Sequence, residues 1–147
     1  MFFLKELPSR QMVDGYADRY ADVDVGKVLD ALGLMRRASL LIRELEAFFA
    51  QRELSQLRFL TMIIVDREPE RDCLAASEIA ERLDVSRPVV TRTLQSLEKV
   101  GLIAISENAI DARSRNVTLT LAGKGKLDEV LPGYFAILHR AMLDTNR

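Results

Sequence analysis

Apolar residues recur every three or four positions through much of the chain, a spacing typical of amphipathic helices. The longest pattern predicts a helix over residues 28–49 with two neighbouring apolar rows. One row is Val28, Leu32, Met35, Ser39, Ile42, Glu46 and Phe49, and the other is Ala31, Leu34, Ala38, Leu41, Leu45 and Phe48. So wide an apolar face on one helix exceeds what one small domain usually covers, which favours burial against a partner subunit. Burial within the same monomer is the alternative.

Shorter helical patterns lie on either side of this helix. A mixed segment before DVDVG predicts a short helix or turn. After the long helix, Ser55 is a candidate N-cap, with Leu57, Leu60 and Ile64 facing inward. LAASEIAERLDV then predicts a short helix, and only Asp84–Ser86 separate it from the helix that follows. Two short helices joined by so tight a turn form a helix-turn-helix unit.

The hydrophobic period changes after Gly101. LIAIS and RNVTLT are rich in apolar and β-branched residues and flank the polar ENAIDARS, which predicts a β-hairpin with a long loop. The last pattern predicts a helix capped by Thr120 and kinked at Pro132–Gly133. The predicted fold is therefore mainly α with a small β-hairpin wing, a winged helix-turn-helix flanked by N- and C-terminal helices. We expect one integrated domain with segments 1–52, 53–120 and 121–147.

The second helix of the unit has two distinct faces. Val90, Leu94, Leu97 and Gly101 share the sector that must pack against the preceding helix. Ser86 can cap this helix. The opposite side carries Pro88, Arg92, Gln95 and Lys99, with Val89 and Ser96 on one flank and Thr91 on the other. Small side chains and an arginine on the first two turns suit a helix that enters the major groove of DNA, where arginine can pair with guanine.

Charge changes this picture only locally. The 147 residues carry a net charge of −1, which is unpromising for a DNA-binding protein. From Ser86 to Lys126, however, seven basic residues stand against three acidic ones, so this segment is +4 and the remaining residues carry −5. Phosphate attraction depends on the nearby field, so the segment can serve a nucleic-acid face. Ordinary variation in surface charge explains the count equally well.

The composition excludes several classes of protein. Apolar residues make up 48% and charged residues 29%, which is typical of a globular protein. A single cysteine and a single histidine rule out an internal disulfide and the usual zinc sites, and we expect a cytoplasmic protein. No signal peptide, membrane span or catalytic motif is evident. We therefore expect neither an enzyme nor a metal or other cofactor.

Several motifs in this order resemble the MarR family of winged helix-turn-helix transcription regulators. They are LAASEIAERLDVS, VVTRTLQSLEKVGLI, DARSR and VTLTLAG, within residues 54–131. The resemblance implies a homodimer formed by the first and last helices, a double-stranded, pseudo-palindromic DNA operator, and a repressor released by a small ligand. It implies that Ser86, Arg87, Pro88, Val89, Thr91 and Arg92 read the groove, with Asp111, Arg113 and Arg115 acting at the wing. Gln95 is a further candidate DNA contact because it shares the exposed side of the helix with Arg92. Arg113 would enter the minor groove, Asp111 would orient it, and Arg115 would contact the backbone.

An interaction module is the rival interpretation. The strand after GLI lacks basic residues and runs AISENAI, so a winged helix used for protein–protein contact, without DNA binding, remains open.

Other residues are weaker candidates. Tyr16, Tyr20 and Tyr134 can line a pocket for a small aromatic effector, although tyrosines of the core are as good an interpretation. Cys73 does not match the position of the family's redox cysteines, so an inert, half-buried thiol is expected. His139 is expected to pack or to lie at the surface.

Overall fold

The computed structural model of the protein describes residues 2, 4–20, 23–67, 71–107 and 115–143. They divide into two compact units, residues 1–45 and residues 46–147. Six helices and a small three-stranded antiparallel sheet occur within these described ranges. The expected fold class, mainly α with a β-hairpin wing, is confirmed. The segment boundaries at residues 52 and 120 stay a prediction.

The first unit contains α1 (Arg10–Ala17) and most of α2 (Val25–Ala50). The Ser9 hydroxyl caps α1 by accepting a hydrogen bond from the backbone N–H of Met12 at 3.3 Å. On α2, Ser39 and Leu45 are buried, but four large apolar side chains are exposed. These are Leu34, Met35, Leu40 and Ile42. The long predicted helix is thus present, and much of its apolar face lies open.

The second unit begins with the end of α2 and continues through α3 (Gln56–Asp66), β1 (Leu74–Ala75) and α4 (Ala76–Arg82). It goes on through α5 (Arg87–Lys99), β2 (Ile103–Glu107), β3 (Arg115–Leu119) and α6 (Leu121–Leu143). Strand β3 lies between the other two strands in the sheet. The core of this unit is formed by Phe49, Phe59, Met62, Leu74, Ile79, Leu97, Ile103, Val117, Leu127 and Val130.

The inward face predicted for α3 was wrong. Phe59, Thr61, Met62 and Val65 are the buried residues, whereas Leu57, Leu60 and Ile64 are only half-buried. The sequence LRFLTMIIV is apolar almost all round the helix, so periodicity alone could not select the core face. Ser55 does cap α3 as expected, because its hydroxyl accepts from the backbone N–H of Arg58 at 3.2 Å.

Strand β1 was not predicted as a strand. Leu74 pairs with Val117 and Ala75 pairs with Asn116, so the start of LAASEIAERLDV is extended and α4 begins only at Ala76. A two-residue strand gives no alternation to detect. It nevertheless fixes the start of α4 against the sheet.

Thr120 joins the end of α5 to the start of α6. Its hydroxyl donates to the carbonyl oxygen of Gly101 at 2.6 Å and accepts from the backbone N–H of Gly123 at 3.0 Å. Its own backbone N–H donates to the carbonyl oxygen of Leu102 at 3.2 Å. The predicted cap is therefore present, and it holds two helices at once. Helix α6 continues through Pro132 as one helical segment.

Candidate nucleic-acid interface

Helix α5 presents one buried face and one exposed face. Val90, Thr93, Leu94 and Leu97 are buried. Every predicted contact residue of this helix is exposed, a set formed by Ser86, Arg87, Pro88, Val89, Thr91, Arg92 and Gln95. The division follows the helical period, so the structure brings these seven residues together on and beside one surface.

The beginning of α5 differs in one detail from the prediction. Ser86 occupies the N-cap position with an extended backbone, but its side chain makes no capping hydrogen bond. Its carbonyl oxygen accepts from the backbone N–H groups of Val89 at 2.9 Å and Val90 at 3.1 Å. Pro88 lies in the first turn, where a missing N–H costs little. The predicted cap by the Ser86 hydroxyl is therefore wrong, although the helix begins where expected.

The hydroxyl groups of two threonines on α5 donate hydrogen bonds within the helix, which limits the groups that remain available to a ligand. Thr91 donates its hydroxyl to the carbonyl oxygen of Arg87 at 3.1 Å, and Thr93 donates to that of Val89 at 2.9 Å. With its donor used inside the helix, exposed Thr91 presents a methyl group and a hydroxyl acceptor. An apolar contact with a thymine methyl is compatible with that arrangement.

The end of α5 is a Schellman motif. Gly101 adopts the left-handed conformation, with φ of 74°. Its N–H donates to Glu98 O at 2.9 Å, and the N–H of Leu102 donates to Leu97 O at 3.0 Å. Gly101 is exposed, so its predicted place on the packing face was wrong. Its role is to end the helix and turn the chain into β2.

An arginine that sequence reasoning missed contacts α5 from α3. Arg58 donates from Nε to the Ser96 hydroxyl and from a terminal nitrogen to the Ser96 carbonyl oxygen, both at 2.9 Å. The two residues are 38 positions apart. Because no local motif links them, the sequence offered only Ser96 on a flank of α5 and no indication of its partner.

The wing is present as the predicted hairpin. Strands β2 and β3 pair from Ile103 with Leu119 to Glu107 with Arg115. Arg115 is exposed and lines a cleft of about 460 Å³ together with Thr91, Gln95 and Glu98. The structure therefore brings Arg115 to the same surface as two predicted residues of α5. Asp111 and Arg113 lie outside the described residues.

Comparison with known proteins identifies the family. The profile of the MarR family matches residues 50–114. The transcriptional repressor YetL of Bacillus subtilis is 30% identical over 140 residues, which cover 95% of this chain and 83% of YetL. The protein belongs to the MarR family. The transcriptional repressor MprA of Escherichia coli K12 is 29% identical over 133 residues, or 90% of this chain and 75% of MprA.

Solved MarR structures share the fold. AbsC, a MarR family transcriptional regulator from Streptomyces coelicolor, superposes with a TM-score of 0.76 at 19% identity, covering 84% of this chain and 82% of AbsC. Sco3205 from the same organism, solved in complex with DNA, gives a TM-score of 0.74 at 22% identity, covering 83% and 76%. MarR proteins are transcription regulators, so the expectation that this chain is not an enzyme is confirmed by the family.

The effector candidates of this MarR protein fall into two groups. Tyr16 and Tyr20 are exposed and line an apolar groove of about 260 Å³ in the first unit, with Met12 and Val28 among the other walls. Tyr134 is half-buried in an aromatic cluster of the second unit, with its ring centre 4.7 Å from that of Phe59. A binding role for the three tyrosines stays a prediction.

Cys73 and His139 were the two remaining residues considered for a chemical role. Cys73 is half-buried and His139 is exposed on α6. Over the described ranges, no group of three or more His, Cys, Asp or Glu residues is arranged to hold a metal ion. Among the described helices, none has the length and apolar character that crossing a membrane requires.

Proposed function

We propose that this MarR protein is a transcriptional repressor that binds double-stranded DNA of a specific sequence as a homodimer. The observation that carries the proposal is the row of exposed residues on the first turns of α5, next to Arg115 at the wing. The DNA complex of Sco3205 and the repressor names of YetL and MprA support it. The cytoplasmic location expected from the sequence is part of the proposal.

Each residue of the row has a role that follows from its chemistry. Arg92 and Gln95 lie opposite the packing face and would read base edges in the major groove. Arg87, nearer the packing face, would hold a phosphate. Val89 and Thr91 would contact thymine methyls, while Ser86 and Pro88 are small enough to allow close backbone approach. Arg115 would contact the DNA backbone, with Arg113 in the minor groove and Asp111 orienting it.

A homodimer would match a pseudo-palindromic operator. In a two-fold dimer the two α5 helices must lie about 34 Å apart to reach successive grooves. The exposed apolar residues of α2, and Phe135, Met142 and Leu143 on α6, supply surface that a second copy would cover. A small aromatic effector near Tyr16, Tyr20 or Tyr134 would release the DNA by favouring a different spacing.

Selection from a random duplex pool tests the DNA-binding proposal. We expect the wild-type protein to enrich a two-fold symmetric sequence at moderate salt, and Arg92→Ala to weaken binding to that duplex at least tenfold. Arg67→Ala, an exposed arginine directly after α3 and outside α2, α5, α6 and the wing, is the matched control and should bind as the wild type does. If the wild type enriches no sequence, the proposal fails and the winged helix is better explained as a protein-interaction module.

A further inference from the structure

Arg58 makes three hydrogen bonds that join three parts of the second unit. Besides its two bonds to Ser96 on α5, its other terminal nitrogen donates to the carbonyl oxygen of Glu53 at 3.3 Å. Glu53 lies in the turn between α2 and α3. One guanidinium thus connects the end of α2, the start of α3 and the middle of α5.

The geometry uses the shape of arginine and not only its charge. Nε and one terminal nitrogen meet the hydroxyl and the carbonyl of the same residue, which matches the planar fork of arginine, whereas an ammonium group would have to make both bonds from one nitrogen without a fixed direction. The Ser96 hydroxyl donates to the carbonyl oxygen of Thr93 at 3.0 Å, so its lone pairs are turned toward Arg58. The bonds therefore fix both the direction and the distance of approach.

Ser96 lies next to the residues proposed to read bases. It follows Gln95 directly and comes four residues, or about one turn, after Arg92. A helix with its side chains has a radius of about 5–6 Å, so a roll of about 10° moves a side-chain tip by about 1 Å. A change of that size is enough to disrupt a bidentate contact with a base. A bond that fixes the position of Ser96 therefore also fixes the positions of Arg92 and Gln95 on the same helix.

We propose that Arg58 is the positioning residue of α5, which sets the roll of this helix and thereby the sequence selectivity of the protein. Arg58 touches no base in this scheme and acts through Ser96. The inference rests on the proposed DNA-binding function. Two other roles predict different results: a direct phosphate contact would add to the salt dependence of binding, and a purely stabilising contact would change folding without changing selectivity.

The first test measures selectivity. Arg58→Lys keeps the charge and loses the planar fork, and Arg58→Met removes the charge. Arg67→Lys, at the exposed residue that ends α3, is the control. Binding is measured to the selected duplex and to a scrambled duplex of equal length. We expect Arg58→Lys and Arg58→Met to reduce the ratio of the two affinities about tenfold, Ser96→Ala to reduce it less, and Arg67→Lys to leave it unchanged.

The salt dependence of the same binding separates the alternatives. With no phosphate contact, the slope of log affinity against log salt should be equal for Arg58→Met and wild type. A slope smaller by about 0.9 would identify a phosphate contact and overturn the proposal. An unchanged affinity ratio in the Arg58 variants, whatever their melting temperatures, would also overturn it.

A second measurement needs no DNA. Amide hydrogen exchange should be faster along α5 in Arg58→Lys than in Arg67→Lys, with α6 unchanged, because the paired hydrogen bonds from Arg58 to Ser96 no longer hold α5 to α3. Equal exchange along α5 in both variants would refute the connection itself. If the wild type enriched no duplex but α5 exchanged faster, the DNA-binding function would fail while the hold of Arg58 on α5 would stand.

Discussion

At the scale of single residues, two helices end in the same motif with different residues. Gly101 ends α5, and Glu53 ends α2 with the same hydrogen-bond pattern, since the N–H of Glu53 donates to Ala50 O and that of Leu54 donates to Phe49 O. Glu53 has a φ of 56°, which makes it the one non-glycine residue of the described chain in the left-handed region. A side chain is disfavoured there, whereas glycine is not.

The two ends should therefore respond oppositely to exchange of their residues. Glu53→Gly should raise the free energy of unfolding by up to about 1 kcal/mol, and Gly101→Ala should lower it by about 1–2 kcal/mol. The Glu53 carbonyl that Arg58 binds belongs to the backbone and is kept. Urea unfolding of both variants measures the effect, and destabilisation by Glu53→Gly would contradict it.

The exposure of single residues could be predicted from the sequence where it depends only on their position around one helix. The exposed and buried faces of α5 follow from the spacing of Val90, Leu94 and Leu97, which periodicity reveals. The contact between Arg58 and Ser96 depends on how α3 packs against α5, and no local spacing encodes it. For the same reason the missing side-chain cap at Ser86 could not be predicted, because a good capping residue need not use its hydroxyl.

At the scale of elements, the start of α4 is held by a carboxylate. Glu78 accepts from the backbone N–H of Ala75 at 2.8 Å and from Arg71 at 2.7 and 3.3 Å. The hydrogen bond from Arg71, followed by the bond from Ala75, lowers the pKa of Glu78 below its ordinary value of 4.5. An ionised side chain at the surface thus contributes to holding the start of the first helix of the helix-turn-helix unit.

This dependence predicts a loss of stability in acid. Because the pKa of Glu78 is lower in the folded state than in the unfolded state, its contribution is complete above about pH 4.5 and is lost as the pH falls through the folded value. A double-mutant cycle with Arg71→Gln and Glu78→Gln should give a favourable coupling at pH 7 that declines below pH 4.5. A coupling of the same size at pH 3 would disprove the assignment.

Elements were predicted well where they were long. The helices from α2 onward, their order and the hairpin followed from hydrophobic period. The segment of α1 was expected only as a short helix or turn, and the two residues of β1 were too few to show a period. The core face of α3 was also missed, because Phe59 and Leu60 are both apolar and only the packing of neighbours decides which is buried.

At the scale of the whole molecule, the exposed apolar residues of α2 are the feature to explain. Leu34 is 61% exposed and Met35 is 52% exposed in the single chain. A solvent-exposed pair of this kind is typical of a surface that another molecule covers. The proposed homodimer accounts for it.

A charge introduced into this surface should weaken the dimer. Leu34→Glu and Met35→Glu would each bury an unpaired carboxylate, so we expect at least a tenfold higher dissociation constant in sedimentation equilibrium. Asp66→Lys, exposed at the last position of α3 and outside both α2 and α6, is the control for a charge change and should dimerise as the wild type does. Unchanged association in both glutamate variants would place the interface elsewhere.

The connection at Thr120 has a mechanical consequence. Its hydroxyl and backbone N–H bind Gly101, Leu102 and Gly123, so the two residues that lead out of α5 are hydrogen-bonded to the start of α6. A rotation of α6 would therefore pull on the residues at the end of α5 through these hydrogen bonds. A small molecule that tilts α6 would then lower the affinity for DNA without contacting any residue proposed to touch a base.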